Sequence, residues 1–121
     1  MMANIRANIS DEHIEAIHNK IVIDLCIHAL EGKIEKALKA QQEEQIDLYK
    51  LKLKELLTER KELNSYLRQR KTKIQEVIIC DDMFVEYPYY LKTKEGGIKQ
   101  GTMRYWKAAL KLHMKNKLNG C

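Results

Sequence analysis

Four histidines, three cysteines and one acidic cluster are the side chains here that could do chemistry, and none stands at a catalytic spacing. His13 and His18 are five residues apart, off one face of a helix, and His28 and His113 have no Glu or Cys at metal-ligand spacing. Asp81, Asp82 and Glu86 could hold a cation or act as paired carboxylates. A loop that caps a helix or pairs with nearby Lys and Arg accounts for them more simply. Gly96-Gly97 with Gly101 matches neither a phosphate-binding loop nor a dinucleotide-binding turn. Cys26, Cys80 and Cys121 are odd in number, widely spaced and without a histidine beside them to activate a thiol. We expect them to be packing residues, with Cys121 in a frayed terminus. No enzyme, metal or cofactor is expected.

What remains is charge and aromaticity. The formal net charge is +5, unevenly spread. Residues 89–121 carry eight Lys and Arg against Glu95 alone, or +7, whereas the first 88 carry −2. Such asymmetry is the footprint of an end that faces a polyanion. In the same third, Tyr87, Tyr89, Tyr90, Tyr105 and Trp106 interleave with Lys92, Lys94, Lys99, Arg104 and Lys107. Lysine and arginine neutralise phosphates, and aromatic faces stack on bases. A small core for the C-terminal third would use the same aromatics. The stretch Gly101-Thr102-Met103-Arg104-Tyr105-Trp106 resembles, over six residues, a Thr-x-Arg-Tyr-Trp/Tyr stretch of MerR-type winged helices; the helices that flank it in that family are missing here, and no function is carried over.

The elements that must position these residues are mainly helical. One Pro and five Gly leave few breaks in 121 residues, which permit one modest core. Ser10 reads as an N-cap followed by Asp11 and Glu12, with Ile9 and Ile14 at the staple positions. From Ile14 to Leu38 the apolar residues keep helical spacing, although the stretch 20–30, nearly all apolar from Ile21 to Ile27, could also be a buried strand. A helix buried on several sides, as in an oligomer core, is preferred, and Gly32 marks a kink or join. The polar run 40–45 is read as a bend. Residues 42–77 then form a heptad, with Ile46, Leu53, Arg60, Leu67 and Ile74 at a and Tyr49, Leu56, Leu63, Arg70 and Val77 at d. A seam of that length asks for a partner helix. Arg60 and Arg70 on it either pair with acids of a neighbouring helix or mark where the seam opens. Gly96-Gly97 signals a β-hairpin or structured loop across 83–101, and Thr102 could cap a final basic helix on which Met103, Trp106, Leu110 and Met114 share a face.

The expected fold is mainly α: a long helical hairpin or coiled-coil dimer, a small C-terminal β-hairpin or loop, and a short basic terminal helix. The expected division is 1–78 for the long-helix hairpin and oligomerisation region and 79–121 for a basic, aromatic-rich subdomain. The expected function is non-enzymatic binding of a polyanion, DNA or RNA, by a homo-oligomer, most simply a dimer. Arg60, Arg68, Arg70, Lys71, Lys73, Arg104 and Lys107 would contact phosphates, with Tyr105 and Trp106 as stacking or anchoring groups. A protein–protein adaptor or inhibitor of the phage or prophage accessory kind, meeting a host protein, is the alternative. A small-nucleotide binder at a protomer interface is the third. With no run of about 18 apolar residues and no signal-peptide core in residues 1–10, a cytoplasmic protein without membrane partners is expected.

Overall fold

The computed structural model describes the backbone of Met2–Ile5 and all of residues 9–121. Residues 1 and 6–8, part of the stretch read as lacking a signal core, lie outside the described residues. Ser10 caps the first helix as its sequence predicts. Its hydroxyl accepts from the His13 N–H at 3.2 Å, and α1 runs Asp11–Lys39. Ile9 and Ile14 are both buried in the core. The run 20–30 is helix, and Gly32 lies inside α1 without ending it. Residues 40–42 then make the bend, with Gln41 at φ 53°, and α2 runs Glu43–Gln69.

α2 folds back along α1. Lys33 lies over the Tyr49 ring, Asp24 faces Arg60 at 3.7 Å and His13 meets Tyr66, so the two helices run antiparallel. The heptad residues Tyr49, Leu53, Leu56, Leu63 and Leu67 pack into the same core as α1. The partner helix that the seam asks for is therefore in the same chain.

The heptad ends earlier than its phase suggests. α2 stops at Gln69, Arg70 caps it, and Lys71 adopts φ 50°. β2 (Thr72–Ile74) and β3 (Ile78–Ile79) follow, both paired with β4 (Phe84–Lys92). Ile74 and Val77 keep the heptad phase without being helical, because edge pairing with β4 satisfies this backbone. β4 turns into β5 (Ile98–Trp106) through residues 93–97. The Thr93 N–H donates to the Gly97 carbonyl at 2.8 Å, and Gly96 sits at φ 85°, where a side chain would be strained. The hairpin is longer than expected: residues 102–106 are strand, not helix. β1 (Met2–Ile5) completes an antiparallel sheet in the order β1-β5-β4-β2, with β3 also on β4. α3 (Lys107–Leu118) ends at Asn119 in the left-handed region, a C-cap.

One core joins the three helices to β4 and β5. Ile17, Ile21, Ile23, Cys26 and Leu30 of α1 pack with Leu56 and Leu67 of α2, Val85, Tyr89 and Leu91 of β4, Met103 and Tyr105 of β5, and Leu110 and Leu118 of α3. The several-sided burial of α1 is met by these elements. Residues from both sides of the expected boundary at 78 share this core. Of the cysteines, Cys26 is buried and Cys121 packs partly against the core rather than fraying, while Cys80 is exposed and lies outside the core. None of the described helices is long and apolar enough to cross a membrane.

Candidate anion-binding surface

The end of α2 and the turn of the β4–β5 hairpin meet in a cleft of about 470 Å³. Its lining is His13, Gln69, Arg70, Lys71, Leu91, Lys92, Thr93, Lys94 and Lys99. That is five Lys and Arg side chains, with no carboxylate among the described lining residues. The backbone forces the clustering. The Lys92 N–H donates to the Lys71 carbonyl at 3.3 Å, one residue beyond the β2–β4 ladder, so the two lysines stand opposite each other where the turn enters β2. Like charges in that position repel unless an anion lies between them. Lys71, Lys92 and Lys94 make no ion pair with a carboxylate among the described residues.

The floor of the cleft is preorganised. The Arg70 guanidinium lies 3.4 Å from the Tyr66 ring centroid and donates to the Tyr66 carbonyl at 3.2 Å. Part of this is helix-end chemistry, since cations complement the C-terminal dipole. Tyr66 meets His13 edge-on at 6.1 Å, and His13 Nε2 is 2.6 Å from Thr72 Oγ1. The Thr72 hydroxyl donates to the Arg70 carbonyl at 3.2 Å, which leaves its oxygen to accept from His13 Nε2–H. Burial first, and the Arg70 charge second, hold the His13 pKa below the ordinary imidazole value of 6.5. His13 thus spends its one N–H on Thr72 and brings no charge to the cleft at neutral pH.

The expected site residues divide into several groups. Arg70 and Lys71 are in the cleft. Lys73 is next to it on β2, across from Tyr90. Arg68 turns to a neighbouring amphipathic cleft of about 550 Å³, whose walls include Lys20, Asp24, Asn64, Glu76 and Tyr87. Arg60 is mid-helix, facing Asp24. Arg104 lies over the Phe84 ring and pairs with Glu86 at 3.2 Å. Lys107 opens α3 at the far end of the hairpin, its N–H bonded to the Met83 carbonyl. Tyr105 is a correction: it is 0% exposed, so its ring cannot stack on a ligand. Trp106, its neighbour, is 46% exposed but on a strand rather than the apolar face of a helix. Sequence reasoning missed His13, and it placed Lys92, Lys94 and Lys99 in the basic third without naming them among the phosphate contacts. The signal was the hairpin itself, because a turn at Gly96-Gly97 brings the lysines that flank it together.

The sheet carries a second feature. Strand alternation puts Val85, Tyr87, Tyr89 and Leu91 toward the helices, with Met103 and Tyr105 beside them. The alternate residues pair across the other face: Phe84 with Trp106, Glu86 with Arg104, Pro88 with Thr102, Tyr90 with Gln100 and Lys92 with Ile98. None of these joins the core.

Behind the sheet lies a buried polar set. Tyr105 Oη is 2.7 Å from His18 Nδ1, and the His18 ring meets His113 edge-on at 4.8 Å. Burial, then the His113 ring, lowers the His18 pKa, with Glu15 pulling weakly the other way. Burial raises the Tyr105 phenol far above its ordinary value and raises Tyr87 as well. Tyr105 therefore donates to a neutral His18. The cluster ties α1, β5 and α3 together and holds no activated nucleophile. Asp81 belongs to a turn: its carboxylate accepts from the Met83 and Phe84 N–H groups at 2.7 and 2.9 Å, which lowers its pKa. Among the described residues no three His, Cys, Asp or Glu gather as a metal site would need.

Comparison with protein-family models, with curated proteins and with solved structures finds no match to this chain.

Proposed function

We propose that this protein binds nucleic acid, holding the phosphate backbone in the cleft between the end of α2 and the β4–β5 turn. One observation carries this function: Arg70, Lys71, Lys92 and Lys94 gather in one cleft with no carboxylate among its described lining residues, and Lys71 stands opposite Lys92. A protein interior or an ordinary surface mixes signs, because unbalanced positive charge repels itself. A phosphodiester chain is the ligand whose repeating charge relieves that repulsion at several points at once. Fluorescence anisotropy with labelled single- and double-stranded oligonucleotides tests this function. Affinity should fall linearly, on logarithmic axes, as salt rises from about 50 to 200 mM. Absence of binding at the lowest salt would refute it.

A second function rests on a different observation. Leu38, Leu48 and Leu51 are exposed near the bend between the two long helices, and Leu51 is 68% exposed. This end of the hairpin is separated from the cleft by most of α2, roughly 30 Å. Exposed leucines there suit an apolar contact with another protein or a second copy of this chain. Sedimentation of the purified protein at several concentrations separates the two: a monomer throughout leaves only a foreign partner.

A further inference from the structure

We propose that the uncovered face of the sheet is a stacking platform for single-stranded nucleic acid, with one unpaired base seated on Tyr90. This rests on the cationic cleft being a phosphate-binding surface and names the form of nucleic acid it takes. Tyr90 is the aromatic nearest the cleft on that face. Lys73 stands opposite it on β2, and Lys92, two residues along β4, stands opposite Lys71. An aromatic ring with lysines on one side is the pairing that base stacking with phosphate neutralisation uses.

Beside Tyr90 the face carries a depression of about 330 Å³, bordered by Pro88, Gln75, Gln100 and Thr102. The two amides and the hydroxyl each offer both a donor and an acceptor, which suits the edge of a base lying on the ring. At the far end of the same face, Phe84 and Trp106 pair across the strands. Six residues separate Phe84 from Tyr90, roughly 20 Å along the strand. The face thus offers an aromatic group at each end and cations beside the cleft end. Its acid, Glu86, is already matched by Arg104. Bases within a duplex are stacked and paired with each other and reach such a ring only by flipping out. An unpaired strand needs no such step.

Trp106 is the sole tryptophan, so its emission reports on this face directly. The full chain is titrated with a single-stranded oligothymidylate, a duplex of the same length and inorganic polyphosphate, following Trp106 fluorescence and anisotropy. The platform predicts that the single strand quenches Trp106 and binds at least tenfold more tightly than the duplex. Tyr90→Ala should weaken the single strand about ten- to hundredfold and leave polyphosphate unchanged. Gln100→Ala, at an exposed position, should weaken the single strand several-fold, which guards against a folding defect in Tyr90→Ala. Equal binding of all three polyanions, with Trp106 emission unmoved and both variants neutral, overturns the platform and leaves the cleft standing. No binding of any polyanion overturns both.

Discussion

The two faces of the β4–β5 hairpin use the same kinds of side chain to opposite ends. Tyr89 is 1% exposed and Tyr105 0%, both locked against helices, while Tyr90 and Trp106, one residue further on, stand on the uncovered face. The inner tyrosines bury large apolar rings, and the Tyr105 hydroxyl is satisfied by His18. On the outer face Trp106 is exposed, while Tyr90 is half-buried with Lys73 opposite it. Strand alternation, not residue type, decides which aromatic builds the core and which faces away from the helices.

The contrast breaks most sharply in stability. Met103→Ala on the inner face should cost about 3–5 kcal/mol in chemical denaturation, because it empties a fully buried site. Trp106→Ala, on the outer face, should stay within about 1 kcal/mol. Equal costs would mean that the outer face is also packed. Tyr105→Phe is a finer probe. It keeps the ring but leaves the His18 acceptor without its donor, for an expected loss of about 1–3 kcal/mol.

Acid should sharpen the same contrast. Both His13 and His18 have folded pKa values below the ordinary 6.5. The unfolded chain therefore takes up protons first as pH falls, so stability is full above about 6.5 and declines below it toward the lowered folded values. Thermal melts from pH 8 to 5 should show this decline, and His18→Gln should flatten part of it. A melting temperature that rises on acidification would contradict the burial of these rings. The smallest effect belongs to Glu86→Gln. Removing a surface ion-pair partner should change stability by less than about 1 kcal/mol while releasing Arg104. Oligonucleotide affinity should then rise modestly in the anisotropy assay.

Much of the scaffold was legible in the sequence because its signals are local. Ser10 with Asp11 and Glu12 announced α1, the polar run at 40–45 announced the bend, and Gly96-Gly97 announced the hairpin. The failures came where two periodicities share residues. Ile74 and Val77 fit a heptad while lying in or beside edge strands, and Met103 and Trp106 fit a helix by their spacing of three. The alternation of Thr102, Arg104 and Trp106 with Met103 and Tyr105 was present but short. The cleft was only half legible. Arg70 and Lys71 lie in an evident basic run, but their meeting with Lys92, Lys94 and Lys99 depends on sheet register, which no local pattern reveals.

The central claim is that Lys71 and Lys92 hold phosphates, and the most direct test is the salt dependence of binding by the Lys71→Gln, Lys92→Gln double variant. For a single-stranded oligonucleotide, each lost phosphate contact should reduce the slope of log affinity against log salt by about 0.7. The account predicts a slope shallower than that of the wild type by roughly 1.4, with the fold unchanged by circular dichroism. A double variant with wild-type affinity and wild-type slope would place phosphate binding, if there is any, outside this cleft.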